Sequence, residues 1–83
     1  MLDAVTVGKV IQEFREERHL LQEVAGGLAG IGRTHLSAIE RRARKPTLES
    51  LFRLSDALSV RPSTLVAAIE KNCLCIRLKN ARL

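Results

Sequence analysis

At 83 residues the chain has room for one small domain, because domains cluster near ~100 to 150 residues, and this argues against a function that needs a large cleft. Apolar residues make up 46% and charged residues 28%, ordinary globular proportions that exclude a chain disordered throughout. Fourteen Lys and Arg against nine Asp and Glu leave a formal charge of +5, a balance that favours polyanionic partners such as nucleic acid or an acidic membrane.

Val7, Val10, Ile11 and Phe14 recur at i, i+3, i+4 and i+7, with Lys9, Gln12, Glu13, Glu16 and Glu17 opposite, which predicts an amphipathic first helix. Thr6 can cap its start, and its end falls near Arg18. A short second helix follows from Gln22 to Ala29; it carries Gly26 and Gly27, and Gly30 stops it in a left-handed turn. The third helix, Arg33 to Arg41, has only Leu36 and Ile39 to turn inwards, so a wide polar face stays free. Thr47 caps a fourth helix whose Leu48, Leu51, Phe52, Leu54 and Leu58 predict a broad apolar face. Pro62 opens a fifth helix with Leu65, Val66 and Ile69 on its apolar side.

Two readings of the tail compete. Leu74, Ile76 and Leu78 alternate with Cys73, Cys75, Arg77 and Lys79 as a one-sided strand does, while Leu65, Ile69, Cys73 and Ile76 continue a helical stripe. Asn72 tolerates a left-handed position, which favours a break there. The expected architecture is all-α, with a five-helix body over residues 1–71 and an extension, 72–83, that forms a strand if the break holds. The apolar runs are too short to cross a bilayer and the first residues lack a signal-peptide pattern, so a cytosolic protein with no membrane contact is expected.

Chemistry concentrates between Gln22 and Lys45. A projecting helix about 10 to 12 Å wide fits the ~12 Å major groove of duplex DNA. Arg33 at its front can make a bidentate contact to guanine, Thr34 and Ser37 reach bases or phosphates, and the small Ala38 allows close approach to a thymine methyl. Arg41, Arg42, Arg44 and Lys45 follow within five residues, where phosphate clamps are expected beside a reading helix. Trp and Tyr are absent and only Phe14 and Phe52 are aromatic, which disfavours single-strand binding by base stacking and leaves double-stranded DNA.

The spaced residues Val7-Gly8, Ile11, Phe14-Arg15-Glu16-Glu17-Arg18, Gln22-Glu23, Gly30-Ile31, Leu36-Ser37, Ile39-Glu40-Arg41, Pro46-Thr47-Leu48, Leu51, Ala57-Leu58, Val60 and Pro62 resemble the lambda-repressor-like helix-turn-helix family of phage and bacterial regulators. The resemblance spans about residues 6 to 69. It implies a five-helix DNA-binding domain with the helix-turn-helix at about 22–41, and DNA contacts at Gln22, Arg33, Thr34 and Ser37. It also implies an internal salt bridge between Arg15 and Glu40. Leu21 departs from the pattern where Ser or Thr caps the second helix, Ala25 where a large aliphatic is usual, Gly26 where Ala is usual, and Arg42 where glycine is usual. A lost cap is worth roughly 0.5 to 2 kcal/mol, each interior glycine about 1, and a left-handed residue with a Cβ roughly 1 to 2. A weakened second helix is therefore expected.

His19 and His35 have no carboxylate or cysteine at a recognisable catalytic or ligating spacing, and Cys73 with Cys75 supplies two of the four ligands a structural zinc wants, with neither histidine nearby in sequence. No enzyme activity, metal or cofactor is expected, and the two cysteines read as reduced thiols. A transcriptional repressor acting as a homodimer is the leading expectation, with Leu65, Ile69, Leu74, Ile76 and Leu78 as its dimerisation surface. The competing reading is an antitoxin-like or adaptor module that keeps the fold and binds a protein partner.

Overall fold

The computed structural model describes the backbone of residues 3–81 and the side chains of residues 3–73. Five helices, α1 (Ala4–Glu17), α2 (Gln22–Ala29), α3 (Gly32–Glu40), α4 (Leu48–Ala57) and α5 (Pro62–Ala81), follow in order, and no strand occurs among the described residues. All-α architecture is thereby established.

Helix α1 starts earlier than Thr6. Asp3 is its cap, with Oδ1 accepting from the Thr6 N–H at 2.7 Å, and Thr6 itself lies buried in the first turn. A carboxylate is the better occupant of that end because it also meets the positive pole of the helix. Val7, Val10 and Ile11 are buried and Phe14 packs at the margin of the core.

Helices α2 and α3 meet through a tight turn. Gly30 adopts φ 73° and its successor Ile31 donates its N–H to the Gly26 carbonyl at 3.1 Å. Gly26 corrects the expectation that two glycines merely weaken α2: a Cβ there would lie 2.6 Å from the Gly32 carbonyl oxygen, so close approach of the two helices requires glycine. Gly27 has open space around the missing Cβ and remains the one costly glycine of the pair. Helix α3 is shifted one residue upstream of its expected bounds and is anchored by the buried Leu36 and Ile39. Beyond it Arg42 takes φ 67° while the Ala43 N–H returns to the Ala38 carbonyl at 2.9 Å, the left-handed exit that glycine usually supplies.

Thr47 caps α4, accepting from the Ser50 N–H at 3.1 Å. The expected apolar face is narrower than five residues. Leu51, Leu54 and Leu58, at i, i+3 and i+7, enter the core, whereas Leu48 and Phe52 lie on the flank at 70% and 52% exposure. Ser55 takes the adjoining buried position, its hydroxyl satisfied by the Phe52 carbonyl at 2.7 Å.

Helix α5 begins at Pro62, packs on α1 and α4, and runs through Asn72 without the expected break. Instead of ending the helix in a left-handed turn, Asn72 donates its side-chain amide to the Ala68 carbonyl one turn back, at 2.8 Å. A strand at 72–83 is thus replaced by helix up to Ala81; a lone strand has no neighbour to pair with, whereas a helix satisfies its own backbone. Leu65 and Ile69, assigned above to a dimer surface, are 0% and 5% exposed and belong to the chain's own core. Leu74, Ile76 and Leu78 lie outside the residues whose side chains are described.

Candidate nucleic-acid interface

Helix α3 turns Leu36 and Ile39 inwards, and at 3.6 residues per turn this sends Thr34, Ser37 and Arg41 to the opposite side, with Arg33, one turn before Leu36, on the flank. These four line one open depression of about 200 Å³. Arg33, Thr34 and Arg41 are exposed and Ser37 is half-buried; Ala38, also half-buried, sits at the edge of the same face. Arg41 folds along its own helix, Nε to the Ser37 carbonyl at 3.3 Å. Arg42, Arg44 and Lys45 continue the exposed basic surface beyond the helix, and Lys45 lies near enough to Asp3 to help hold that carboxyl below its usual range. Among the described residues none of Arg33, Arg41, Arg42, Arg44 and Lys45 forms an ion pair. Their charge is not consumed inside the fold.

A buried ionic cluster holds the motif together. Glu40 is 4% exposed at the last position of α3, where the negative pole of the helix disfavours a carboxylate, so it persists only with strong partners. Arg15 supplies two of them, Nε to Oε2 at 2.7 Å and Nη2 to Oε1 at 2.8 Å, in the bidentate geometry that suits a guanidinium. The remaining Arg15 nitrogen donates to the Leu20 carbonyl at 2.6 Å, just ahead of α2. Hydrogen bonding to Glu40 raises the Arg15 pKa, against the opposing effect of burial, with the charges of Glu40 and Glu16 adding to the rise. Gln22, the first residue of α2, completes the cluster by donating Nε2 to Glu40 Oε1 at 3.0 Å. Sequence reasoning missed this last bond, since residues 18 apart meet only through tertiary structure.

Gln22 and Arg33 also share a second open depression, about 400 Å³, with Arg15, Leu21 and Glu23, so the structure brings the starts of α2 and α3 together. Neither helix has a side-chain cap: Leu21 and Ile31 occupy the cap positions and make no such hydrogen bond. Gly32, at φ 83°, opens α3 and was not singled out from the sequence. Its signal was the repeated glycine spacing Gly30-Ile31-Gly32.

His19 stands in a left-handed position after α1 and His35 is half-buried on α3, well separated in the chain. Among the described residues no group of three or more His, Cys, Asp and Glu gathers as a metal site. No described helix is long and apolar enough to cross a membrane.

Comparison with known proteins agrees with this geometry. The family described as Helix-turn-helix matches residues 11–65. An uncharacterised HTH-type transcriptional regulator of Sinorhizobium fredii is 34% identical over 65 residues, 78% of this chain and 84% of the relative. The immunity repressor protein of Bacillus phage phi105 is 36% identical over 62 residues, covering 75% of this chain and 43% of the repressor. Among solved structures, the restriction-modification controller protein C.AhdI from Aeromonas hydrophila superposes with a TM-score of 0.73 at 32% identity, over 76% of this chain and 91% of that one. The controller protein C.Esp1396I, solved as a tetramer in complex with its natural 35 base-pair operator, superposes with a TM-score of 0.78 at 30% identity, over 86% and 93% of the two chains. With this match across most of its length, the chain belongs to the lambda-repressor-like helix-turn-helix family of DNA-binding transcriptional regulators.

Proposed function

We propose that the chain is a sequence-specific repressor that binds duplex DNA as a two-fold homodimer and inserts α3 into the major groove. The observation that carries this reading is the exposed face of Arg33, Thr34, Ser37 and Arg41, with its cations unpaired. Arg33 reads a base edge, Thr34 and Ser37 reach bases or phosphates, and Ala38 meets a thymine methyl. Gln22 and the run Arg41, Arg42, Arg44 and Lys45 hold the backbone. The uncapped start of α2 leaves free N–H groups and a positive pole towards the same partner. Repression follows the phage immunity repressor among the relatives, and binding by more than one copy has a parallel in the controller protein, which sits on its operator as a tetramer.

Economy of contact supports a homodimer: one nine-residue helix touches only a few base pairs, and useful specificity at physiological salt normally needs two half-sites about 34 Å apart. Selection of bound duplexes from a random pool, followed by footprinting, tests the proposal. The expected result is a two-fold-symmetric consensus with half-sites one turn apart. A single asymmetric half-site removes the dimer, and a pool without enrichment removes specific binding.

A protein-binding reading draws on Leu21, Val24 and Leu28, exposed at i, i+3 and i+7 along α2. Salt dependence separates the two, because each phosphate contact adds about 0.9 to the log–log slope of DNA affinity. A flat slope would favour the protein partner.

A further inference from the structure

The start of α2 lacks the side-chain cap that would fix it locally, yet Gln22 at that position is held by a nearly buried network that spans three helices. Arg15 of α1 grips Glu40 of α3 through two bonds and the Leu20 carbonyl through a third. Glu40 in turn accepts from Gln22 Nε2, which leaves the Gln22 carbonyl oxygen and its second amide proton unspent. Gln22 is only half-buried and borders the depression that Arg33 also lines. A long polar side chain on a surface normally loses rotamer freedom when it binds. One whose amide is already tied to a rigid carboxylate has lost that freedom on folding.

We propose that Glu40 is a positioning residue for DNA recognition: besides pairing with Arg15, it presets the Gln22 side-chain amide for its contact with the duplex backbone. The inference rests on the Gln22 contact proposed above. It assigns to the ionic cluster a part in affinity that is separable from its part in stability.

A double-mutant cycle on the full chain tests it, reading affinity for a selected duplex and the melting midpoint for the wild type, Gln22→Ala, Glu40→Gln and the double variant. Gln22→Ala is expected to weaken binding about two- to tenfold, the worth of one net hydrogen bond. Glu40→Gln should weaken binding when Gln22 is present and add nothing further when it is absent, whereas a loss of melting midpoint, set mainly by the broken Arg15 pair, persists in both backgrounds. Equal losses of affinity in both backgrounds would overturn the positioning role and leave the Gln22 contact standing. An unchanged affinity for Gln22→Ala would overturn the contact itself and the inference with it. If Glu40→Gln does not fold, side-chain amide relaxation in the free wild-type protein decides: an ordered Gln22 amide supports the proposal, and an order parameter below about 0.6 overturns it.

Discussion

Arg42 occupies a backbone position that disfavours its own side chain. Its φ of 67° is strained for any residue with a Cβ, by roughly 1 to 2 kcal/mol, and glycine would relieve it. Part of that relief is offset by the greater freedom glycine has in the unfolded chain, roughly 0.4 to 1 kcal/mol. Arg42→Gly should therefore raise stability by up to about 1 kcal/mol, measurable as a higher urea midpoint. In the reading proposed here it should also weaken binding to all duplexes alike and lower the salt slope by about 1, the mark of a lost phosphate contact. Asp3 makes a second prediction at this scale. Hydrogen bonds from Thr6 hold its carboxyl below the ordinary value of 3.8, with Lys45 contributing. A carboxyl depressed by folding stabilises the protein above its unfolded pKa, and that stability is lost as pH falls from 3.8 through the lowered value. Thermal melts of the wild type and Asp3→Asn should thus differ at pH 7 and converge as the pH is taken below 3.8. A gap that stays constant down the titration would contradict the assignment of Asp3 as the ionised cap.

At the scale of elements, the two adjacent glycines of α2 have opposite roles that the sequence cannot separate. A methyl at Gly26 would press on the Gly32 backbone, which has no flexible end to move aside, and Gly26→Ala should destabilise by about 1 to 3 kcal/mol. At Gly27 nothing lies within 4 Å, and Gly27→Ala should stabilise by about 1 kcal/mol through helix propensity alone. Denaturant midpoints of the two variants, moving in opposite directions, check the pair. The helices themselves were legible because periodicity reports which face is buried: Leu36 with Ile39 on α3, and Val7, Val10 and Ile11 on α1, are core residues. Periodicity fails where an apolar residue sits on a flank, as Leu48 and Phe52 do, and where a better cap stands upstream, as Asp3 does. Nor does it show which neighbour a helix covers. Leu65 and Ile69 form an apolar stripe whether the partner is α1 of the same chain or a second copy, and the structure places them in their own core. The exposed face of α3 was legible for the converse reason, since a helix with only two apolar inward residues leaves most of its surface free, although Glu40, polar in the sequence, is buried by its tertiary partners.

At the scale of the whole molecule, charge and mechanical support are carried by different residues of one motif. The Arg15–Glu40–Gln22 cluster ties α1, α2 and α3 into a unit, and the cations from Arg33 to Lys45, none of them in an ion pair among the described residues, lie exposed beside it. Phosphate contacts set the register of a protein on its duplex and base contacts set its sequence, so these two kinds of residue should respond differently to substitution. The most direct test is to repeat duplex selection and affinity measurement with Arg33→Ala and Lys45→Ala. Arg33→Ala is predicted to relax preference at one position in each half-site, by about 1 to 3 kcal/mol, while Lys45→Ala weakens every sequence similarly and reduces the salt slope by about 1. An Arg33→Ala protein that selects the same consensus with the same affinity as the wild type would contradict the assignment of α3 as the helix that reads DNA.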